Sequence, residues 1–138
     1  MIPKGVLEGL RVDMQEVANL AAATGVSYFK GAFRSKAFDG KAWPKAKADQ
    51  AGTRRRGSLM VQSAALMNSV RTAEATPERV VWAAGNEKVP YAQVHNEGGH
   101  AGRGAGFDMP KRQFMGEAKE LEEQIGRRIN IFLQGIFK

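Results

Sequence analysis

Apolar residues recur at helical intervals at both ends of the chain. Near the start, Leu7, Leu10, Met14, Val17 and Ala21 follow one another at spacings of three and four, and Glu8, Arg11, Asp13, Gln15 and Glu16 fall largely off that stripe. This is the pattern of an amphipathic helix over residues 3–33. Gly25 is expected to interrupt it, with Tyr28, Phe29, Ala32 and Phe33 on a further helical piece. The far end carries the cleaner pattern, because Ala118, Leu121, Ile125, Ile129, Phe132 and Ile136 keep to the same spacing. Glu117, Glu120, Glu122 and Glu123 precede Arg127, Arg128 and Lys138, the order that complements a helix dipole.

Between these helices the period shortens. Residues 70–75 and 79–84 flank Thr76-Pro77-Glu78 and include Val80, Val81 and Trp82, which predicts an antiparallel hairpin. A short strand over 58–62, a two-turn helix over 63–70 capped by Ser63, and one helical turn over 91–96 after Pro90 complete the middle. Phe107 to Met109 is expected to rejoin the sheet at its edge, where Pro110 is tolerated. Two stretches have no period. Residues 35–57 read as a long loop, punctuated by Asp39-Gly40, Pro44 and Gly52, whose first half is pinned to the core by Phe38 and Trp43. Residues 98–106 hold five glycines in nine. The expectation is one α+β domain over 1–138, a small antiparallel sheet packed with long N- and C-terminal helices, with mobile loops near 46–57 and 98–106.

Composition narrows the function classes. The 138 residues are 43% hydrophobic and 25% charged, ordinary for a chain that buries a core. No cysteine is present, which removes disulfides, thiolate metal sites and cysteine nucleophiles and points to a reducing compartment. No apolar run reaches the length of a membrane span. The net charge is +7, and +6 of it lies between Arg34 and Arg56, where eight basic residues face Asp39 and Asp49 alone. Lys45, Lys47, Arg54, Arg55 and Arg56 are therefore the candidate contacts to phosphate or to an acidic partner. The bland alternative is a solvated loop.

Catalytic and cofactor signals fail one by one. His95, Glu97 and His100 invite a metal reading, but two histidines five apart on glycine-rich chain do not share a helix face, and no cysteine adds a ligand. His95 reads better as a structural hydrogen-bonding residue. The glycines around Arg103 do not sit in a strand-to-helix turn of a βαβ unit, and Gly40-Lys41-Ala42 lacks the hydroxyl of a P-loop. Ser58, Ser63 and Ser69 lie in no nucleophile elbow. Neither a cofactor nor a metal is expected.

Four segments in order carry a resemblance. They are residues 33–44 (FRSKAFDGKAWP), 59–70 (LMVQSAALMNSV), 90–98 (PYAQVHNEG) and 109–116 (MPKRQFMG), followed by the C-terminal helix. Together they resemble the phage virion-morphogenesis family, the small tail-completion or neck proteins of Mu-like tailed phages, from about residue 30 onward. Ala64 or Ala65 departs from it, standing where the family commonly has a glycine. The resemblance implies a non-enzymatic structural protein, assembled in the host cytoplasm, that forms a homo-oligomeric ring at the head–tail junction of the virion. By analogy with tail symmetry the ring is a hexamer. It would meet neighbouring connector, neck and tail proteins and let genomic DNA pass without reading its sequence. On this reading Lys45, Lys47, Arg54, Arg55, Arg56 and Arg103 contact other subunits or the DNA channel, while Trp43, Tyr91, His95, Pro110, Arg112 and Phe114 are structural anchors. Two readings from other classes stand beside it. One is a basic, sequence-nonspecific nucleic-acid-binding protein; the other is a small hydrolase or metal enzyme around His95, Glu97 and His100.

Overall fold

A computed structural model of the chain describes residues 4–44, 64–87, 92–101, 107–109 and 111–136. The expected short strand over 58–62, the Ser63 cap and the loop residues 46–57 and 102–106 lie outside this set. The fold is α+β: two long helices enclose short antiparallel strand pairs. Helix α1 (Lys4–Ser35) is followed by β1 (Ala37–Phe38) and β2 (Lys41–Ala42), then by a short helix α2 over 64–69. Strands β3 (Arg71–Ala75) and β4 (Val80–Ala83) come next, then helix α3 (Ala92–Glu97), β5 (Gly99–Ala101), β6 (Phe107–Met109) and helix α4 (Lys119–Ile136).

Helix α1 runs unbroken through Gly25, against the expected interruption. A side chain at Gly25 would overlap the indole of Trp82, whose Nε1 donates to the carbonyl of Ala22 at 2.9 Å. The glycine therefore serves close packing of β4 against the helix and tolerates the helical backbone at a cost of about 1 kcal/mol relative to alanine. The buried face of α1 is likewise displaced from the expected stripe. It passes through Ala18, Ala22, Phe29 and Ala32, whereas Met14 is 46% exposed. Gly25 leaves room for the ring of Trp82 to reach the helix, where it also packs edge-on against Phe29 at 5.5 Å.

The hairpin β3–β4 pairs Arg71 with Ala83 and Ala75 with Val80, with a register shift between Thr72 and Glu74. Its turn is closed by reciprocal backbone bonds between Thr76 and Arg79, 2.9 and 3.2 Å. Phe107–Met109 does not join this sheet. It pairs antiparallel with β5, Gly99 opposite Met109, so among the described residues the strands form three separate two-stranded sheets, one of them β1–β2 within the stretch expected to be loop. Part of the expected glycine-rich loop is thus strand.

Helices α1 and α4 run antiparallel. Tyr28 bonds to Glu120 near one end of the contact, and Arg128 reaches the Thr24 hydroxyl farther along. Ala118 and Leu121 complete a core with Phe29, Phe38, Leu66 and Phe114. Leu66 projects from α2, and Ser69 links that helix to the hairpin by accepting the Gly85 amide at 2.8 Å.

Candidate functional site

The most densely connected region lies where α1 ends. Lys36 and Asp39 adopt positive φ, 54° and 48°, and Gly40 follows at 81°. These left-handed residues fold the chain into the β1–β2 hairpin, a turn that Asp and Gly tolerate best. The sequence pattern alone predicts a loop here, with the Asp39-Gly40 turn legible inside it. Ala37 pairs with Ala42 and Phe38 with Lys41, and the Trp43 amide donates to the Lys36 carbonyl at 2.7 Å. The hairpin thereby returns Trp43 to the body.

There Trp43 joins a cluster of rings, touching Phe33 and His95, which both touch Phe114. Phe33 of α1 lies 5.5 Å from Trp43 and 4.9 Å from Phe114, and His95 of α3 lies 5.3 Å from Trp43 and 5.6 Å from Phe114, centroid to centroid. Most of these contacts are edge-on, the geometry that matches ring quadrupoles. Each ring comes from a different segment. Phe114 is 2% exposed and His95 6%, while Trp43 is half-buried and donates its Nε1 hydrogen to the Gln113 carbonyl at 2.7 Å.

His95 is held from both sides of its residue. Its Nδ1–H donates to the Arg112 carbonyl at 3.0 Å, and its own carbonyl accepts the Arg112 amide at 2.9 Å. Burial among rings pushes the imidazole down to a pKa of about 4, which the bond to the Arg112 carbonyl partly opposes and the Arg112 charge reinforces. At neutral pH it is an uncharged hydrogen-bonding ring. Next to it, the Asn96 Oδ1 accepts the amides of Phe114 and Met115, 2.9 and 3.0 Å. Gly98, with φ 76°, ends the turn; a Cβ there would lie 3.0 Å from the Lys111 backbone nitrogen. The Arg112 Nε donates to the Pro44 carbonyl at 3.3 Å, so the 111–116 segment is stitched both to α3 and to the hairpin.

A second network faces α4. The Asp39 amide donates to the Tyr28 hydroxyl at 3.1 Å, the hydroxyl donates to Glu120 Oε2 at 3.0 Å, and Asp39 Oδ1 accepts the Glu120 amide at 3.1 Å. Asp39 therefore caps the start of α4 from a different part of the chain. Partial burial, then the bond to Glu120, pushes the Tyr28 phenol up to about 12. These groups line an open cleft of about 490 Å³ with Ser27, Gly31, Arg34 and Gln124.

Of the residues singled out from sequence, the structure brings together Trp43, His95, Arg112 and Phe114. Tyr91, Pro110, Lys45, Lys47, Arg54, Arg55, Arg56 and Arg103 lie outside the described residues. Phe33 was legible as an aromatic of the first helix, whereas Asn96, Gln113 and the bonding of Tyr28 and Asp39 to Glu120 escaped sequence reasoning. Asn96 carried one signal, its position beside His95 and two residues before Gly98. The arrangement joins four segments without converging reactive groups on a cavity, and among the described residues no three His, Asp or Glu side chains gather as a metal-holding group.

The profile of the phage virion morphogenesis family matches residues 6–134. The chain belongs to that family. Neither a curated protein nor a solved structure shows significant similarity to it. Membership makes this a phage structural and morphogenesis protein associated with the virion, and no helix among its described residues is long and apolar enough to cross a membrane. For a virion morphogenesis protein the ring-filled junction has a plain use, since it fixes α1, the hairpin, α3 and the 111–116 segment as one unit.

Proposed function

We propose that this virion morphogenesis protein is a structural subunit that closes with copies of itself into a ring at the head–tail junction, completing the tail or neck and leaving a passage for the genome. The observation that carries the reading is the family match over residues 6–134. A ring forms when one face of each subunit meets a different face of its neighbour and the rotation closes, and tail symmetry suggests a hexamer. Neighbouring connector, neck and tail proteins would contact the faces above and below. The aromatic junction supports this use, because it joins separate segments into a rigid body that neighbours can meet. Reconstruction of the assembled virion is the test. The expected result is a closed ring of this chain at the neck, and density for one copy or for none there overturns the reading.

A further inference from the structure

We infer that the hairpin end of the molecule is a contact surface for the phosphate backbone of duplex nucleic acid, a surface that includes Arg34, Lys36, Lys41 and Lys111. The first three come from the end of α1 and the β1–β2 hairpin, and the fourth from the segment bonded to that hairpin through Trp43 and Gln113. All four are exposed, and none of their side chains has an ion-pair or hydrogen-bond partner among the described residues. The carboxylates beside the hairpin and beside Lys111 are bonded to other groups, because Asp39 caps the Glu120 amide, Glu120 accepts from Tyr28 and Glu97 accepts from Gln93. In sequence the run containing Lys45, Lys47 and Arg54–Arg56 starts immediately after Pro44, the residue whose carbonyl Arg112 holds.

Unanchored cations spread over separate segments suit a polymer of repeating phosphates, which asks for charge and not for fixed pair geometry. An acidic protein face calls for cations held in place by neighbours, and these four are not held. The inference rests on the proposed virion location only for its biological setting. Its test is independent of that location: the full chain is titrated with a mixed-sequence duplex of about 30 base pairs, followed by fluorescence anisotropy between about 50 and 200 mM salt. Binding should weaken steeply with salt. The Lys36→Asn, Lys41→Gln, Lys111→Gln variant should flatten the log–log salt slope by about 2 to 3, near 0.9 for each phosphate that is no longer neutralised. Asn is chosen at Lys36 because it accepts positive φ. If the triple variant melts early, Arg34→Gln alone should flatten the slope by about 1. No duplex binding by the parent chain, an unchanged slope in a folded variant, or tighter binding to polyglutamate than to duplex overturns the inference, the last in favour of an acidic protein partner. Duplex binding by a protein absent from the neck would overturn the proposed function alone.

Discussion

Acidification should unlock the aromatic junction, and His95 is the group that does it. The imidazole is 6% exposed, packed against Phe33, Trp43 and Phe114, and its pKa falls to about 4 in the fold, against about 6.5 when unfolded. The unfolded chain therefore binds a proton between these values that the folded chain refuses. Stability from the neutral buried ring is complete above pH 6.5 and is lost as pH falls toward 4. A depression of this size is worth about 3 kcal/mol at full burial, and solvent contact at the ring edge reduces the expectation to about 2 kcal/mol. For a chain of this size that is a melting-temperature drop of roughly 6 to 10 °C. The assay compares thermal unfolding of the parent and of His95→Gln from about pH 7.5 to about pH 3.5, the interval that brackets the two pKa values. Glutamine keeps a donor for the Arg112 carbonyl but has no proton to gain. The variant should be less stable at the neutral end, and the two melting temperatures should converge with falling pH, because only the parent loses stability as the unfolded His95 takes up its proton. A constant gap across the range would refute the claim that His95 is held neutral by its surroundings.

Two further outcomes separate packing from propensity. Gly25→Ala should destabilise the protein by about 2 kcal/mol through collision with Trp82, whereas Gly126→Ala, on the open face of α4 where a Cβ meets nothing within 4 Å, should stabilise it by about 1 kcal/mol; chemical denaturation of both variants checks the opposite signs. Trp43→Ala should cost about 3 kcal/mol, since it removes ring contacts to Phe33 and His95 and the bond to the Gln113 carbonyl, and a melting temperature within a degree of the parent would show that the hairpin is not anchored by this residue.

Much of the architecture was legible because its signals are local. The stripe from Ala118 to Ile136 marks α4, and Thr76-Pro77-Glu78 between β-branched runs marks the β3–β4 hairpin. Misreadings arose where a residue's reason lies across the fold. Gly25 looks like a breaker until Trp82 is placed on it. Met14 fits the apolar stripe of α1, yet it is 46% exposed, and the alanines one position along face the sheet instead. Within the site, Trp43 and His95 stand out by type, and Asp39-Gly40 by turn chemistry. Asn96 and Tyr28 do not, because each acts on chain distant in sequence: Asn96 on Phe114, Tyr28 on Glu120. No periodicity reports such partners.

The Asp39 cap on α4 also constrains the order of folding. The contacts that seat this helix span 81 residues from Asp39 to Glu120, 92 from Tyr28 to Glu120 and 104 from Thr24 to Arg128. Closing loops of that length is entropically expensive and makes folding slow relative to local helix formation. During synthesis α1 is made well before its partner, so Phe29 and Ala32 lack Ala118 and Leu121 until α4 has been translated. Nascent chains would spend that interval with an apolar helix face uncovered, open to premature association with one another. Closure of the core is thereby tied to translation of α4, and the cap from Asp39 works as a latch that engages only once that helix exists.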